Sequence, residues 1–233
     1  MAKPRKPLTR FQKMLRSDGA LCVTFVNTAS PRRPGLESYA DLIAWGVETG
    51  ALSATDRSRL EAAAAEHPGA AAAVVRRVPT QRGRLERIFL ALAAGRRPDA
   101  ADFNPLNAEI RRVMSARELA PTHSGYRWSW GEIDGVDLDR MLWPVLHSAG
   151  NFLASEDRQR VRQCGEGCGL WFIARGAGRP RKWCSVACRN RASTKKHYHR
   201  KVKPKREAKK RAEETEAKAR IAGFGKGWKP DEK

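Results

Sequence analysis

Four of the chain's five cysteines fall in two Cys-x3-Cys pairs, Cys164/Cys168 and Cys184/Cys188, with fifteen residues between them. Four thiolates can share one divalent ion only if they come close in pairs, because a short turn brings two sulfurs within reach of the same ion. The fold must then bring the two pairs together. The spacing predicts one structural Zn2+ with Cys164, Cys168, Cys184 and Cys188 as its ligands. A hairpin between the pairs would serve. Residues 170–175 and 180–183 carry apolar and aromatic side chains, and Gly176 and Gly178 between them suit a tight connection. Disulfide pairing is the weaker alternative, since no stretch reads as a secretory signal and thiols in a reducing compartment stay reduced. A redox pair and chance spacing are the remaining ones. Cys22 stands alone in the apolar run 21–26 and reads as a small buried hydrophobe.

Charge is segregated around this motif. Residues 158–206 hold sixteen Lys/Arg against one acid, Glu166, and so carry +15 of the chain's net +21. Residues 17–157 hold 16 bases and 18 acids, and residues 1–16 add six cations. A near-neutral domain thus carries a cationic appendage. After Cys188 the run Arg189-Asn190-Arg191 and then 195–201 (KKHYHRK) sits on a predicted helix starting near Ser185, with cations on more than one face and Tyr198 among them. A solvated basic helix is one reading. At this density beside a small metal module, a polyanion ligand is the better one.

The run WCSVACRNRA (183–192), preceded by C-x3-C-G-x-x-F and followed by a basic helix, resembles the CGNR-type zinc finger. In that family the finger follows a larger domain called ABATE, and the proteins are bacterial-type stress-induced transcription regulators. The resemblance extends to FVNT (25–28), the loop with Arg32 and Arg33, DLIAW (41–45), GALS (50–53), IFLALAAGRR (88–97) and LWPVLHSA (142–149). It covers about residues 20–200, and the finger motif is its more specific half. Two features depart from the pattern. Arg189 stands where the namesake glycine belongs, and the second cysteine pair is one residue tighter. Both bear on turn geometry and leave all four thiolates in place.

Along the chain, residues 1–17 read as a disordered basic arm without the apolar stretch of a signal peptide. Residues 21–26 fit a buried strand or a core helix equally, since a short apolar run has no readable period. Helices are predicted at 37–49 (Leu42, Ile43 and Val47 inward, stopped by Gly50), 57–67 (capped from Ser53 or Thr55, ended by Pro68) and 70–78. Two more follow, from Thr80 to Gly95 and over 99–118 with Phe103, Leu106, Ile110 and Val113 facing the core. Residues 122–130 alternate as a strand with Tyr126, Trp128 and Trp130 on one face, 131–135 is turn-like, and 138–153 returns to helix with Pro144 in its first turn.

The expected fold class is mainly α with a small β element (α+β). A helical ABATE-like domain at 18–155 precedes a small treble-clef-like zinc finger, hairpin plus helix, at 158–205. A long charged helix with a disordered tail occupies 206–233.

Enzymatic readings fail one by one. The chain has no Gly-rich phosphate loop, no G-x-S-x-G elbow and no metal-protease pair, and His123, Ser124 and Asp134 are too loosely spaced for a triad. A nuclease would need a histidine base beside the finger. His197 and His199 qualify by position alone. No run approaches a membrane span, so a soluble cytoplasmic protein is expected, nucleoid-associated if it binds DNA.

The expected phosphate contacts are Arg181, Lys182, Arg189, Arg191, Lys195, Lys196 and Arg200, with Asn190 either on a base edge or tying the metal loop together. DNA is the expected partner. RNA, or a protein bound by the finger, is the alternative. Asn27, Thr28 and Arg33 could line a polar pocket for a small-molecule effector, or Asn27 and Thr28 could cap the next element. Trp45, Trp128 and Trp130 could frame an aromatic cavity but fit the core better. The sequence leaves the oligomeric state open.

Overall fold

Residues 10–33, 35–131, 137–176 and 180–224 are described by a computed structural model. They divide into two units, the first ending at Ser185 and the second beginning at Val186. The boundary falls inside the stretch 158–205 that the sequence suggests as one module.

The first unit is built around α2 (Leu21–Asn27), in which Cys22 to Asn27 are all buried. A helix buried on every side shows no amphipathic period, which is why the run read equally as a strand. Before it lies α1 (Arg10–Asp18), so the arm expected to reach residue 17 is helical from Arg10, and Met14 is buried against the core. Residues 1–9 lie outside the described residues. α3 (Tyr39–Thr49) and α4 (Ala54–Glu66) each open with a capping box, Ser38 with Asp41 and Ser53 with Asp56. Each satisfies two orphan N–H groups of its first turn. Gly50 ends α3 at φ +77°, a left-handed position that favours glycine.

Pro68 does not simply end α4. It also opens α5 (Pro68–Ala93), which runs unbroken through Pro79, where the sequence suggests two helices. An interior proline costs about 3 kcal/mol by deleting one hydrogen bond and crowding the carbonyl four residues back. Here that cost is offset by one continuous buried face, Ala71, Val74, Val78, Leu85, Ile88 and Phe89, which a break would throw out of register. α6 (Ala100–Met114) likewise passes through Pro105 and stops short of residue 118. Phe103, expected inward, is 41% exposed.

The residues that follow α6 are a strand, β1 (Arg117–Thr122), antiparallel to β2 (Gly125–Trp130) with Leu119 opposite Trp128 and Pro121 opposite Tyr126. Tyr126 and Trp128 are exposed, so Trp128 is not a core residue, whereas Trp45 is fully buried and Trp130 packs partly against the core. The turn-like stretch after Gly131 falls largely outside the described residues. A 3-10 turn (Arg140–Leu142) then leads into α7 (Trp143–Ala154), with Pro144 in the first turn, where its missing N–H would have no partner.

The last hairpin of this unit pairs β3 (Val161–Gln163) with β4 (Trp171–Ile173). It therefore encloses the first cysteine pair. The strands expected at 170–175 and 180–183 do not pair, and residues 180–183 are no strand. Val161, Trp171 and Ile173 belong to the same buried cluster as α2, α5 and α7. Phe89 meets Trp171 edge-on at 5.8 Å.

The described residues of the second unit form one continuous helical run. α8 (Val186–His197) passes through a π turn (Tyr198–Val202) into α9 (Lys203–Phe224). The π turn stands directly before Pro204, whose ring would clash with the carbonyl of Arg200 in a regular helix, and the wider turn relieves that clash. Cys188 is the only buried residue of α8. Lys203, Lys209 and Lys210 each pair with a glutamate four residues on. The tail expected beyond α9 lies outside the described residues. No helix among the described residues is long and apolar enough to cross a membrane.

Candidate metal centre and nucleic-acid interface

The hairpin β3–β4 carries Cys164 and Cys168 in its loop. Glycines shape that loop. Gly167 (φ +71°) and Gly169 (φ +76°) take left-handed conformations on either side of Cys168. The turn is closed by Gly167 N–H donating to Cys164 O (3.0 Å) and Cys164 N–H donating to Leu170 O (2.9 Å). Gly165 N–H reaches Lys182 O at 3.0 Å and holds the segment carrying the third cysteine alongside.

The sulfurs of Cys164, Cys168, Cys184 and Cys188 all lie within 4.8 Å of one another, and all four residues are buried. A tetrahedral zinc site with Zn–S bonds of about 2.3 Å has S···S edges of about 3.8 Å. Cys168 and Cys184 are 3.7 Å apart. The donor set therefore fits a single Zn2+. Burial pushes the Cys168 thiol above its ordinary value. Ionised around a divalent ion, the four would carry a net charge of about −2. Donors point at sulfur, among them Cys184 N–H to Cys164 Sγ at 3.5 Å and Arg191 Nη2 to Cys188 Sγ at 2.8 Å.

All eight residues expected to touch nucleic acid are exposed, and Arg181 and Arg191 also have partners within the protein. Arg181 is occupied within its own unit: its guanidinium stacks on Phe172 at 4.4 Å and donates to Ile173 O and Cys184 O, and burial lowers its pKa. Arg191 sets one guanidinium nitrogen on the Cys188 thiol. Arg189, Ser193 and Lys196 recur at helical spacing on one face of α8.

Asn27, Thr28 and Arg33 are brought together with the core. Asn27 clips β4: its Nδ2 donates to Trp171 O (2.9 Å) and its Oδ1 accepts from Trp171 N–H (2.8 Å). The Thr28 hydroxyl donates to Phe25 O (2.7 Å) and accepts from Arg82 Nη1 (2.9 Å). Arg33 pairs with the buried Asp18 at 2.8 Å. Burial pushes the Asp18 carboxyl up, while Arg33 and hydrogen bonds from Asn27 and Thr24 act the other way. Sequence reasoning missed the Asn27 clip and the two positive-φ glycines. The glycines had a visible signal, the repeat G-x-G-C-G through the cysteine pair. Asn27 had none, because its partner is 144 residues away.

Residues 19–156 match the ABATE family model, described as "Putative stress-induced transcription regulator". That is more than half of the chain. The chain belongs to the ABATE family. Residues 160–201 match the CGNR zinc finger, the stretch that holds all four clustered cysteines. The chain thus joins a CGNR-type zinc finger to an ABATE sensor domain, the build of a zinc-finger transcription regulator. Both families are regulatory and non-catalytic. No curated protein matches the chain.

Proposed function

We propose that this ABATE protein regulates transcription by binding duplex DNA through the cationic helix that follows its cysteine cluster, with one structural Zn2+ held by Cys164, Cys168, Cys184 and Cys188. The supporting observation is charge. Sixteen Lys/Arg face one acid over residues 158–206, and Lys182, Arg189, Lys195, Lys196 and Arg200 are exposed. In α9 glutamates partly neutralise the lysines, whereas α8 and the π turn contain no acid. The phosphate contacts therefore concentrate between Arg189 and Lys201. Arg181 and Arg191 act instead on the metal loop, one bracing its backbone and the other offsetting thiolate charge. Four sulfur ligands close the coordination sphere, so the metal orders the chain and does no chemistry. The ABATE domain senses a small-molecule effector, and the protein works in the cytoplasm at the nucleoid.

RNA is the second reading. Tyr198, 39% exposed with His199 edge-on at 5.6 Å, offers a stacking surface for an unpaired base. Fluorescence anisotropy with random duplex DNA and folded RNA, across salt and with and without a zinc chelator, separates the two. Six to ten phosphate contacts predict that affinity falls by ~10³–10⁵ between about 50 and 200 mM salt. Lys195→Ala with Lys196→Ala should lower the slope by about one per contact removed. Salt-insensitive binding, or a preference for RNA, overturns the DNA reading.

A further inference from the structure

We propose that the cleft between α6 and the C-terminal end of α7 binds an amphipathic carboxylate, a straight-chain acid of medium length. The cleft measures about 580 Å³, within the range of about 300–1,000 Å³ usual for small-molecule sites. Its floor is apolar, formed by Leu92, Phe103, Leu106, Ile110 and Leu153. Phe103 leaves 41% of its surface open to solvent there, surface that an alkyl chain would cover.

The rim is cationic. Arg96 and Arg97 come from the turn after α5 and Arg158 from the turn after α7, and among the described residues no acidic side chain lines the cleft. The acids nearest in sequence are engaged elsewhere. Asp99 accepts from Ala101 N–H at 2.8 Å, Asp102 is forked by Arg87, Glu109 pairs with Arg84 at 2.8 Å, Asp157 accepts from Arg175 Nε at 2.9 Å, and Glu156 faces Arg160 at 3.9 Å. Arg158 donates to Ser155 O at 2.6 Å, which pins its side chain at the rim. Residues 17–157 otherwise nearly balance their charges, so two arginines of that domain and a third just beyond it, gathered with no acid over an apolar floor, select for a ligand with an apolar body and one anionic head. Guanidinium groups suit such a head because they can grip a carboxylate with two parallel hydrogen bonds. Asn107 and Gln159 add polar groups to the same cleft.

Arg158 and Gln159 stand one residue before β3, the strand that leads into Cys164. An occupant of the cleft therefore touches the segment leading into the metal loop. That this contact is read out on DNA rests on the function proposed above; the binding itself does not.

Isothermal titration calorimetry on the full-length, zinc-loaded protein tests the site with hexanoate, octanoate and decanoate, and with 1-octanol and octylamine as controls. One molecule of acid should bind per chain, about fourfold tighter for each added methylene until the chain outgrows the cleft. Octanol and octylamine should bind at least about tenfold more weakly than octanoate, the loss expected when a charge-assisted contact to arginine is missing. Arg97→Gln with Arg158→Gln should remove that advantage and leave octanol unaffected. Phe103→Gln, at an exposed position, should weaken acid and alcohol together. Equal affinity for octanoate and octanol, unchanged binding in the double arginine variant, or no binding of any acid overturns the proposal. Repeating the DNA titration with saturating octanoate reads the coupling separately. A protein that fails to bind DNA leaves the calorimetry standing, and one that fails to bind acid leaves the DNA result standing.

Discussion

Replacing Asn27 with alanine should destabilise the ABATE domain and loosen the metal site at once. The side chain is 2% exposed and, besides its hydrogen bond to Asp18, makes two buried hydrogen bonds, at 2.9 and 2.8 Å, to the carbonyl and N–H of Trp171. Asn27→Ala leaves both backbone groups buried without partners. At about 1–3 kcal/mol for each orphaned group the loss is about 2–6 kcal/mol, a large share of the roughly 5–15 kcal/mol that holds a typical domain together. Asn27→Asp should be worse at neutral pH, because it keeps the acceptor for Trp171 N–H but sets a buried anion against the Trp171 carbonyl. Trp171 follows Leu170, whose carbonyl accepts from Cys164 N–H, so zinc affinity should also fall, roughly tenfold or more, as it does when groups that orient a ligand are lost. Urea unfolding followed by tryptophan fluorescence and far-UV circular dichroism gives the first number, and competition with a chromophoric chelator gives the second. A loss below about 1 kcal/mol, or unchanged zinc affinity, would refute the reasoning that the clip bears on both.

Chelating the zinc should release the start of α8 but leave the hairpin in place, since Trp171 and Ile173 are held by the core. Hydrogen exchange should show protection retained at the Trp171 amide, which donates to Asn27, and lost over residues 190–193, whose amides bond back into the first turn of α8, and equal loss at both would contradict this. Burial pushes the Cys22 thiol up to about 12, so a thiol reagent should count four cysteines after chelation and reach the fifth only in denaturant. The Arg175 guanidinium beside Asp157 holds that carboxyl below the usual carboxylate range. Their contribution is then complete above the unfolded value and fades as pH falls through the lowered one. Arg175→Gln should move the midpoint of acid unfolding to higher pH, and an unmoved midpoint would show the pair to be neutral.

The features that were legible in the sequence are those written locally. Ser38 with Asp41, Ser53 with Asp56, and Gly50 mark helix ends through groups within a turn of each other. The two cysteine pairs announce a four-thiolate cluster through spacing alone. What escaped depends on distant parts of the chain. Pro79 read as a break because local propensity cannot register a buried face that continues on both sides of it. Strand β3, only Val-Arg-Gln, is too short and too polar to carry a period, so the hairpin was expected one segment too late. Trp128 read as core because aromatic content suggests burial, whereas its strand belongs to a two-stranded hairpin with an open face.

The fusion of β3–β4 with the helical core limits how the molecule can be taken apart. A cut between residues 156 and 160, where the two family matches meet, would strip Val161, Trp171 and Ile173 from the cluster that holds Phe89 and Phe152 and leave greasy scars on both fragments. A cut after Ser185 keeps the core whole but removes Cys188, the fourth thiol. Neither seam yields a transplantable finger. Chimeras that join this recognition helix to another sensor must therefore carry the hairpin's supporting core along with it, and evolution recombining the two families would meet the same obstacle.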